Sequence, residues 1–356
     1  MPLASICIVS ELPPPPGGIA VQAQLLSDNL RRQGHIVYLA RTNPLSHSSR
    51  LRRLKWIRGA LNFALFLPLL FAASFRADCV HVLSNSYLSF FLFTFPAVTL
   101  GKLLRKRVVL HYHGGAAEQF LQSWFWLARP ALVSADKVVV HSKFLSSVFR
   151  NFNIETEEVP NILELSSFPF RPRVPLRPRV IIARHLEPAY NVACGIRAFS
   201  IFKSTFPDAF LTIAGDGSCK ASLLALCADL GINDSVRFMG NVANDQMHVL
   251  YDQADVYLNS SRVDNQPVSI LEAFACGLPV VTTAVGGIPY MVNNREDALL
   301  APNDDPTELA AQMTMLLSHP ELADRLIRNA HARIWEHSWD NIYRKHKAIY
   351  LERMSP

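Results

Sequence analysis

Asp264 and Glu272 stand eight positions apart in Ser261-Arg262-Val263-Asp264-Asn265-Gln266-Pro267-Val268-Ser269-Ile270-Leu271-Glu272. The apolar run 256–259 precedes them. Asp264 is therefore expected in a loop at the carboxyl end of a strand, and Glu272 in the first turn of the next helix. Such a pair can act as acid and base on a glycosidic bond. The alternative for Glu272 is structural: Ser269-x-x-Glu272 has the form of a capping box, in which the Glu ties off its own helix. His111 and His113 follow the apolar run 108–110, and alternate residues on a strand share a face. His113 precedes Gly114-Gly115, at a strand end where a ligand can sit; the alternative is a hydrogen-bonded core imidazole. No third and fourth ligand stands at a metal-binding spacing, so no metal is expected. Gly17-Gly18 and Gly286-Gly287 each lie between a strand and a helix. There the backbone can come close to a ligand, and free helix N–H groups favour phosphate. The alternative for both is a plain turn.

These residues need strand ends to hold them, and the chain supplies a strand–helix rhythm. Strands are expected at 5–10, 36–40, 79–83, 108–111 and 137–141, with a helix at 19–33 that Gly34 closes. Residues 160–178 hold five prolines and no periodicity, so the interdomain linker is placed at 166–178. Beyond it, strands are expected at 180–183, 210–214, 236–238, 256–259 and 279–282. Helices are expected at 193–205, 221–230, 245–253 and 269–276, and the last 50 residues read as helical. Short apolar strands joined by helices argue parallel βαβ units. The fold expected is α/β: a first domain over 1–165, a second over 179–336, and a final helix at about 337–356 that packs back on the first. Ligands of open α/β sheets bind at the carboxyl ends of strands, which is where the residues above stand.

Residues 180–317 resemble the donor half of the retaining glycosyltransferases of family 4, which have the GT-B fold of two Rossmann-like domains facing a cleft. The matching elements are Arg184, Gly215-Asp216-Gly217, the segment at Gly240, DNQPVSILEAFACGLPVV at 264–281, and Gly286-Gly287-Ile288-Pro289. The family's Glu, seven residues, Glu frame is filled by Asp264 and Glu272. The first half resembles the acceptor domain through PPPPGGIAVQAQLLSDNLRRQGH at 13–35, Ala77-Asp78-Cys79-Val80-His81 and HYHGG at 111–115. The resemblance implies metal-independent transfer, with retention, from a nucleoside diphosphate sugar, with no cofactor. It implies that Arg184 binds phosphate, Glu272 holds ribose hydroxyls and Asp264 touches hydroxyls of the donor sugar. Ser269, Ile270 and Leu271, with Asn265 beside them, would line the sugar and phosphates, and Gly240 to Val242 would border the base. His113 matches a His near the anomeric centre, and Gly18, with Gly17, a glycine under the diphosphate. Tyr190 stands where the family usually has a Lys, and Tyr290 where it often has a Glu.

Residues 1–178 carry 20 Lys and Arg against 9 Asp and Glu, and residues 179–356 carry 15 against 20. An anionic partner is therefore expected for the first half, either a membrane or a nucleic acid. Residues 50–58 hold five basic groups, Trp56 and no acid. That is the composition of an interfacial segment, and Lys102, Arg105, Lys106 and Arg107 add a second cluster. The alternative is a solvated face. An anionic membrane surface is the expected partner, with a glycolipid or oligosaccharide acceptor. No aromatic platform or recognition helix points to nucleic acid. The apolar stretches 60–75 and 87–100 are interrupted by Asn62, Pro68 and Pro96, and neither is expected to span a bilayer. No basic region precedes the first strand, so no secretory signal is expected. Six scattered cysteines without a CxxC pair read as reduced thiols. The expected setting is cytoplasmic, peripheral on the inner membrane face. A non-catalytic sugar- or nucleotide-binding partner of a synthase complex and a GT-B nucleotide-sugar epimerase are the alternatives.

Overall fold

The computed structural model describes residues 4–14, 17–45, 55–173 and 175–351. The chain divides into two compact units, one of residues 1–162 with 339–356 and one of residues 163–338.

The first unit begins β1 (Ser5–Ser10), α1 (Gly18–Arg32), β2 (Ile36–Arg41), α2 (Lys55–Arg76) and β3 (Cys79–Ser84). It continues α3 (Tyr87–Ser89), a π-helical turn (Phe90–Thr94), α4 (Phe95–Leu103), β4 (Arg107–Tyr112), α5 (Ala117–Ser134), β5 (Lys137–Val140), α6 (Lys143–Arg150) and β6 (Glu157–Glu158). The strands form one sheet in the order β2-β1-β3-β4-β5-β6, and every pairing is parallel. Parallel sheets need cover on both faces, because their crossover helices lie over them. Cys7, Val9, Val82 and Leu110 point to a core shared with α2, α4 and α5. Ile6, Ile8, Cys79 and Val109 alternate to the other face, against α1 and the chain's final helix.

The second unit runs β7 (Arg179–Ala183), α7 (Val192–Thr205), β8 (Phe210–Ala214), α8 (Lys220–Asp229), β9 (Val236–Gly240), α9 (Met247–Gln253) and β10 (Val256–Asn259). It goes on through α10 (Val268–Ala275), β11 (Val280–Thr283), α11 (Ile288–Met291), β12 (Leu299–Ala301), α12 (Pro306–Ser318) and α13 (Pro320–Arg333). α14 (Trp339–Leu351) then returns to the first unit. The second sheet, also parallel throughout, has the order β12-β11-β10-β7-β8-β9.

Two expectations change. Residues 166–178, expected as the linker, are part of the second unit, and the chain crosses between units at 162/163 and 338/339. The reason is the arginines among the prolines. Arg171 and Arg177 donate to the Asp255 carboxylate at 2.9 and 2.6 Å, and Arg173 donates to the carbonyls of Ala254 and Cys276. Burial works against the Asp255 charge, and the Arg177 and Arg171 bonds outweigh it and hold the carboxyl below its ordinary value. The second change is α2. It continues unbroken through Pro68, and its stretch Ile57–Arg76 is long and apolar enough to cross a membrane by length and composition. Of the basic segment 50–58, residues 50–54 lie outside the described residues.

Candidate functional site

In the second sheet β7 and β10 are neighbours, β8 and β9 continue on one side, and β11 and β12 on the other. Loops leaving β7 and β10 at their carboxyl ends therefore part in opposite directions, which opens a crevice at that point. Arg184 is the first residue after β7, and Asp264 lies in the loop after β10. Arg184 Nη2 meets the Asp264 carboxylate, Nη1 donates to Ser269 Oγ at 3.3 Å, and the guanidinium lies 4.2 Å from the centre of the Tyr190 ring. Its Nε is buried and unpartnered. Tyr257 OH also donates to Ser269 Oγ, at 2.7 Å.

Glu272 sits one helical turn below Ser269. Its Oε2 accepts from Tyr251 OH at 2.7 Å, and the residue is buried. The capping-box alternative does not hold. Pro267 precedes the helix and offers no side-chain oxygen, Ser269 is the helix's second residue, and Glu272 falls in the second turn rather than the first. Burial raises the Asp264 carboxyl above its ordinary value, with Arg184 pulling the other way. Burial likewise raises Glu272, opposed by the Tyr251 hydrogen bond. Burial and then Glu272 push the Tyr251 phenol well above its ordinary range, so it stays a donor.

Glycines allow the loops to pack this closely. Gly215 has φ +150°, and a side chain there would run into the Arg184 carbonyl. Gly286, at φ +52°, faces the Asp264 carbonyl in the same way, and the Gly287 N–H donates to that carbonyl at 2.8 Å. Gly240 ends β9 and its carbonyl accepts from Gly215 N at 2.8 Å. Val242 packs against the core beside it. Asn265 donates its backbone N–H to Asp264 Oδ1 at 3.0 Å. Ile270 and Leu271 turn their side chains into the core, so only their backbone can meet a ligand. Tyr290, in α11 after Gly286-Gly287, is exposed.

Gly17, Gly18 and His113 belong to the first unit. Gly17 precedes α1, and nothing stands within 4 Å of where a Gly18 side chain would begin. His113 follows β4 and donates its N–H to the Ser84 carbonyl at 2.9 Å. Its ring lies 4.2 Å from that of His111 and 5.3 Å from that of His141, centre to centre. His81 and His346 extend the cluster, and His81 Nδ1 pairs with Tyr350 OH at 2.7 Å. The sequence reading missed His81, His141 and His346 as neighbours of His113, and Tyr251 and Tyr257 as partners of the site. The i,i+4 spacing of His346 and Tyr350 was a signal that both share one helix face. Among the described residues, no group of three or more His, Cys, Asp or Glu could hold a metal ion.

The second unit thus presents a buried guanidinium with an unpartnered Nε, beside the N-terminal turn of α10, where helix N–H groups lack intrahelical partners. That arrangement suits an anion, with Glu272 and Asp264 placed to accept from hydroxyls. The family model described as Glycosyl transferases group 1 matches residues 170–333, and the one described as Glycosyltransferase Family 4 matches residues 16–166. The chain belongs to this glycosyltransferase family. It is similar to a D-inositol 3-phosphate glycosyltransferase of Acidothermus cellulolyticus, 32% identical over 185 residues, 49% of this chain and 41% of that protein. It is similar to an N-acetyl-alpha-D-glucosaminyl L-malate synthase of Bacillus anthracis, 32% identical over 146 residues, 41% of this chain and 38% of that protein. The matches span less than half the length of these curated relatives. Among solved structures, the sucrose-phosphate synthase of Thermosynechococcus elongatus has a TM-score of 0.77 at 18% identity, covering 99% of both chains. Anabaena HepE in complex with UDP has 0.76 at 17% identity, covering 96% of this chain and 98% of that one. These two share the fold, two Rossmann-like units of the GT-B type.

Proposed function

We propose that the protein transfers a glycosyl group from a nucleoside diphosphate sugar to a lipid-linked or polysaccharide acceptor, with retention and without a metal, on the inner face of a membrane. The observation that carries this reading is Arg184, held between Asp264, Ser269 and Tyr190 at the point where the strand order of the second sheet reverses. A leaving diphosphate gains negative charge as the glycosidic bond breaks, and preorganised cations and helix N–H groups stabilise that charge. Arg184 and the first turn of α10 supply both. Glu272 takes the ribose hydroxyls and Asp264 those of the donor sugar. In the free protein Asp264 neutralises Arg184, so the diphosphate displaces one carboxylate and leaves it free for the sugar. His113, in the first unit, is the further residue that the family resemblance assigns to the reaction. The relatives named for transfer to inositol phosphate and malate, and the neighbour solved with UDP, support a nucleotide-sugar donor.

Calorimetry with UDP, GDP and ADP in the presence of EDTA tests the donor site. At a hundredfold excess over Kd, binding to the folded state alone adds about 2.7 kcal/mol of stability. The anomeric configuration of the product, read by proton NMR, tests retention. Affinity without turnover toward any lipid-linked or oligosaccharide acceptor would instead mark a non-catalytic nucleotide-binding protein.

A further inference from the structure

One helical layer of the first unit has an apolar outer surface. α2, α4 and α5 cover the same face of the first sheet, and their inner sides carry Phe66, Leu70, Val98 and Phe120 into its core. The outer side of α2 is not covered. Leu61, Leu65, Leu69, Phe71 and Phe75 are 41–64% exposed. At 100° per residue these positions, with Ala60, Ala64, Pro68 and Ala72, sweep one side of the helix. No charged residue occurs between Arg58 and Arg76. α5 adds Trp126, 85% exposed, with Trp124 and Leu127, and α4 adds Leu103. An apolar face about 24 Å long, at 1.5 Å per residue over 60–75, is far more than the single exposed apolar side chains of an ordinary surface.

The charges around this face are predominantly basic, although Lys102 is paired with Asp136. Residues 55–135 contain eight Lys and Arg and two acids, Asp78 and Glu118. Arg76 closes α2, and Lys106 Nζ donates to the Phe75 carbonyl at 3.0 Å. Arg105 and Arg129 are exposed on α4's end and on α5. A second copy docked on the same face would bring these cations against each other, which is costly. An anionic bilayer complements both features: acyl chains for the leucines and phenylalanines, headgroup charge for the cations, and an interfacial level for the tryptophans.

We propose that this layer inserts into one leaflet of an anionic membrane, with α2 lying in the plane of the bilayer. The proposal deepens the membrane part of the proposed function and rests on it. α2 does not span. Its inner side chains Phe66 and Leu70 are fully buried, and it is the crossover between β2 and β3, which both pair with β1. Turning it across a bilayer would strip that core from the sheet. Insertion also differs from attraction of the basic residues alone, because hydrophobic burial resists salt and charge attraction does not.

The test is flotation of the full chain with phosphatidylcholine vesicles, with and without phosphatidylglycerol, at low salt and at about 1 M salt, where the Debye length is about 3 Å. Insertion predicts that binding to anionic vesicles persists at high salt and that tryptophan emission shifts to the blue. The variant carrying Leu65→Gln, Leu69→Gln and Phe71→Gln should keep the melting temperature, since these side chains are exposed, and lose vesicle partitioning by about tenfold or more. Binding that high salt abolishes and the variant leaves unchanged overturns insertion and leaves electrostatic docking standing. No vesicle binding by the wild type overturns both, and if the variant then turns a dimer into a monomer, the face is a contact between copies. Nucleotide affinity, measured in parallel, reports the donor site separately from either result.

Discussion

Acidification from pH 7.5 to pH 5 should melt the first unit before the second. Five imidazoles, His81, His111, His113, His141 and His346, lie in ring contact inside the first unit, drawn from β3, β4, the segments after β4 and β5, and α14. Burial lowers His141 to about 4 and His346 to about 3, and pushes the other three well below the ordinary value, with neighbouring imidazoles adding to the effect. The unfolded chain protonates near pH 6.5, so below that pH it takes up protons that the folded unit refuses. Stability is complete above pH 6.5 and falls as the pH drops toward the folded values of 4 and 3. At pH 5 the gap is about 1.5 pH units per group, or about 2 kcal/mol each at 1.36 kcal/mol per unit. His141 and His346 together then remove about 4 kcal/mol, and the other three act in the same direction. A domain has about 5–15 kcal/mol in all. Hydrogen exchange read by mass spectrometry on the full chain, corrected for the intrinsic pH dependence, should show β3, β4 and α14 losing protection at pH 5 while β7, β10 and α10 keep it. Transfer should fail there while nucleoside diphosphate binding survives. His346→Phe keeps a ring stacked on Tyr350 and removes one titrating group, so it should reduce the loss between pH 7.5 and pH 5 by about 2 kcal/mol. Equal loss of protection in both units, or an unchanged pH dependence in the variant, would refute the reasoning.

Arg184→Ala should cost about 3 kcal/mol or more in transition-state stabilisation, read as kcat/KM, because it removes the main cation assigned to the diphosphate. Arg184→Lys keeps a charge against Asp264 but not the forked geometry, and should lower nucleoside diphosphate affinity by about tenfold, read by calorimetry, with a small change in melting temperature. Tyr190→Lys removes a ring contact of about 0.5–2 kcal/mol from Arg184 and adds a second cation, so it should lower the melting temperature and tighten nucleoside diphosphate binding. Weaker binding in that variant would mean that the Tyr190 ring itself meets the donor. Tyr251→Phe leaves the buried Glu272 carboxylate without its donor, a loss of about 1–3 kcal/mol in stability, and should weaken nucleotides with a ribose more than inorganic pyrophosphate.

Regular elements could be read from the sequence where the physics is local. Phe210–Ala214 and Val256–Asn259 are runs of apolar and β-branched residues bounded by turns, and the structure has strands at those positions. β6 and β12 were not expected, since two and three residues carry no period, and β6 is a pair of acids at the sheet's edge. Pro68 was weighed as an interruption of an apolar stretch, yet a proline deletes one hydrogen bond, and α2 keeps its packing against the sheet on either side of it. The same locality explains the site. Arg184 and Asp264 each follow a central strand, and the spacing of strand and loop brings them to one crevice. Ser269-x-x-Glu272 has the spacing of a capping box, but that motif forms only when the Ser stands at the N-cap, and here Pro267 holds that place and Ser269 is already the second helical residue. Glu272 is therefore released from its own helix end and held by Tyr251, a residue 21 positions earlier on another helix. The partners that tune each charge lie on other elements: Tyr251 on α9, Tyr257 on β10, Tyr190 in the turn after β7. Tyr251 and Tyr257 are aromatic residues in ordinary apolar stretches, and only the order of the strands turns them toward the chemistry, whereas Tyr190 was legible from its place at the family's Lys position.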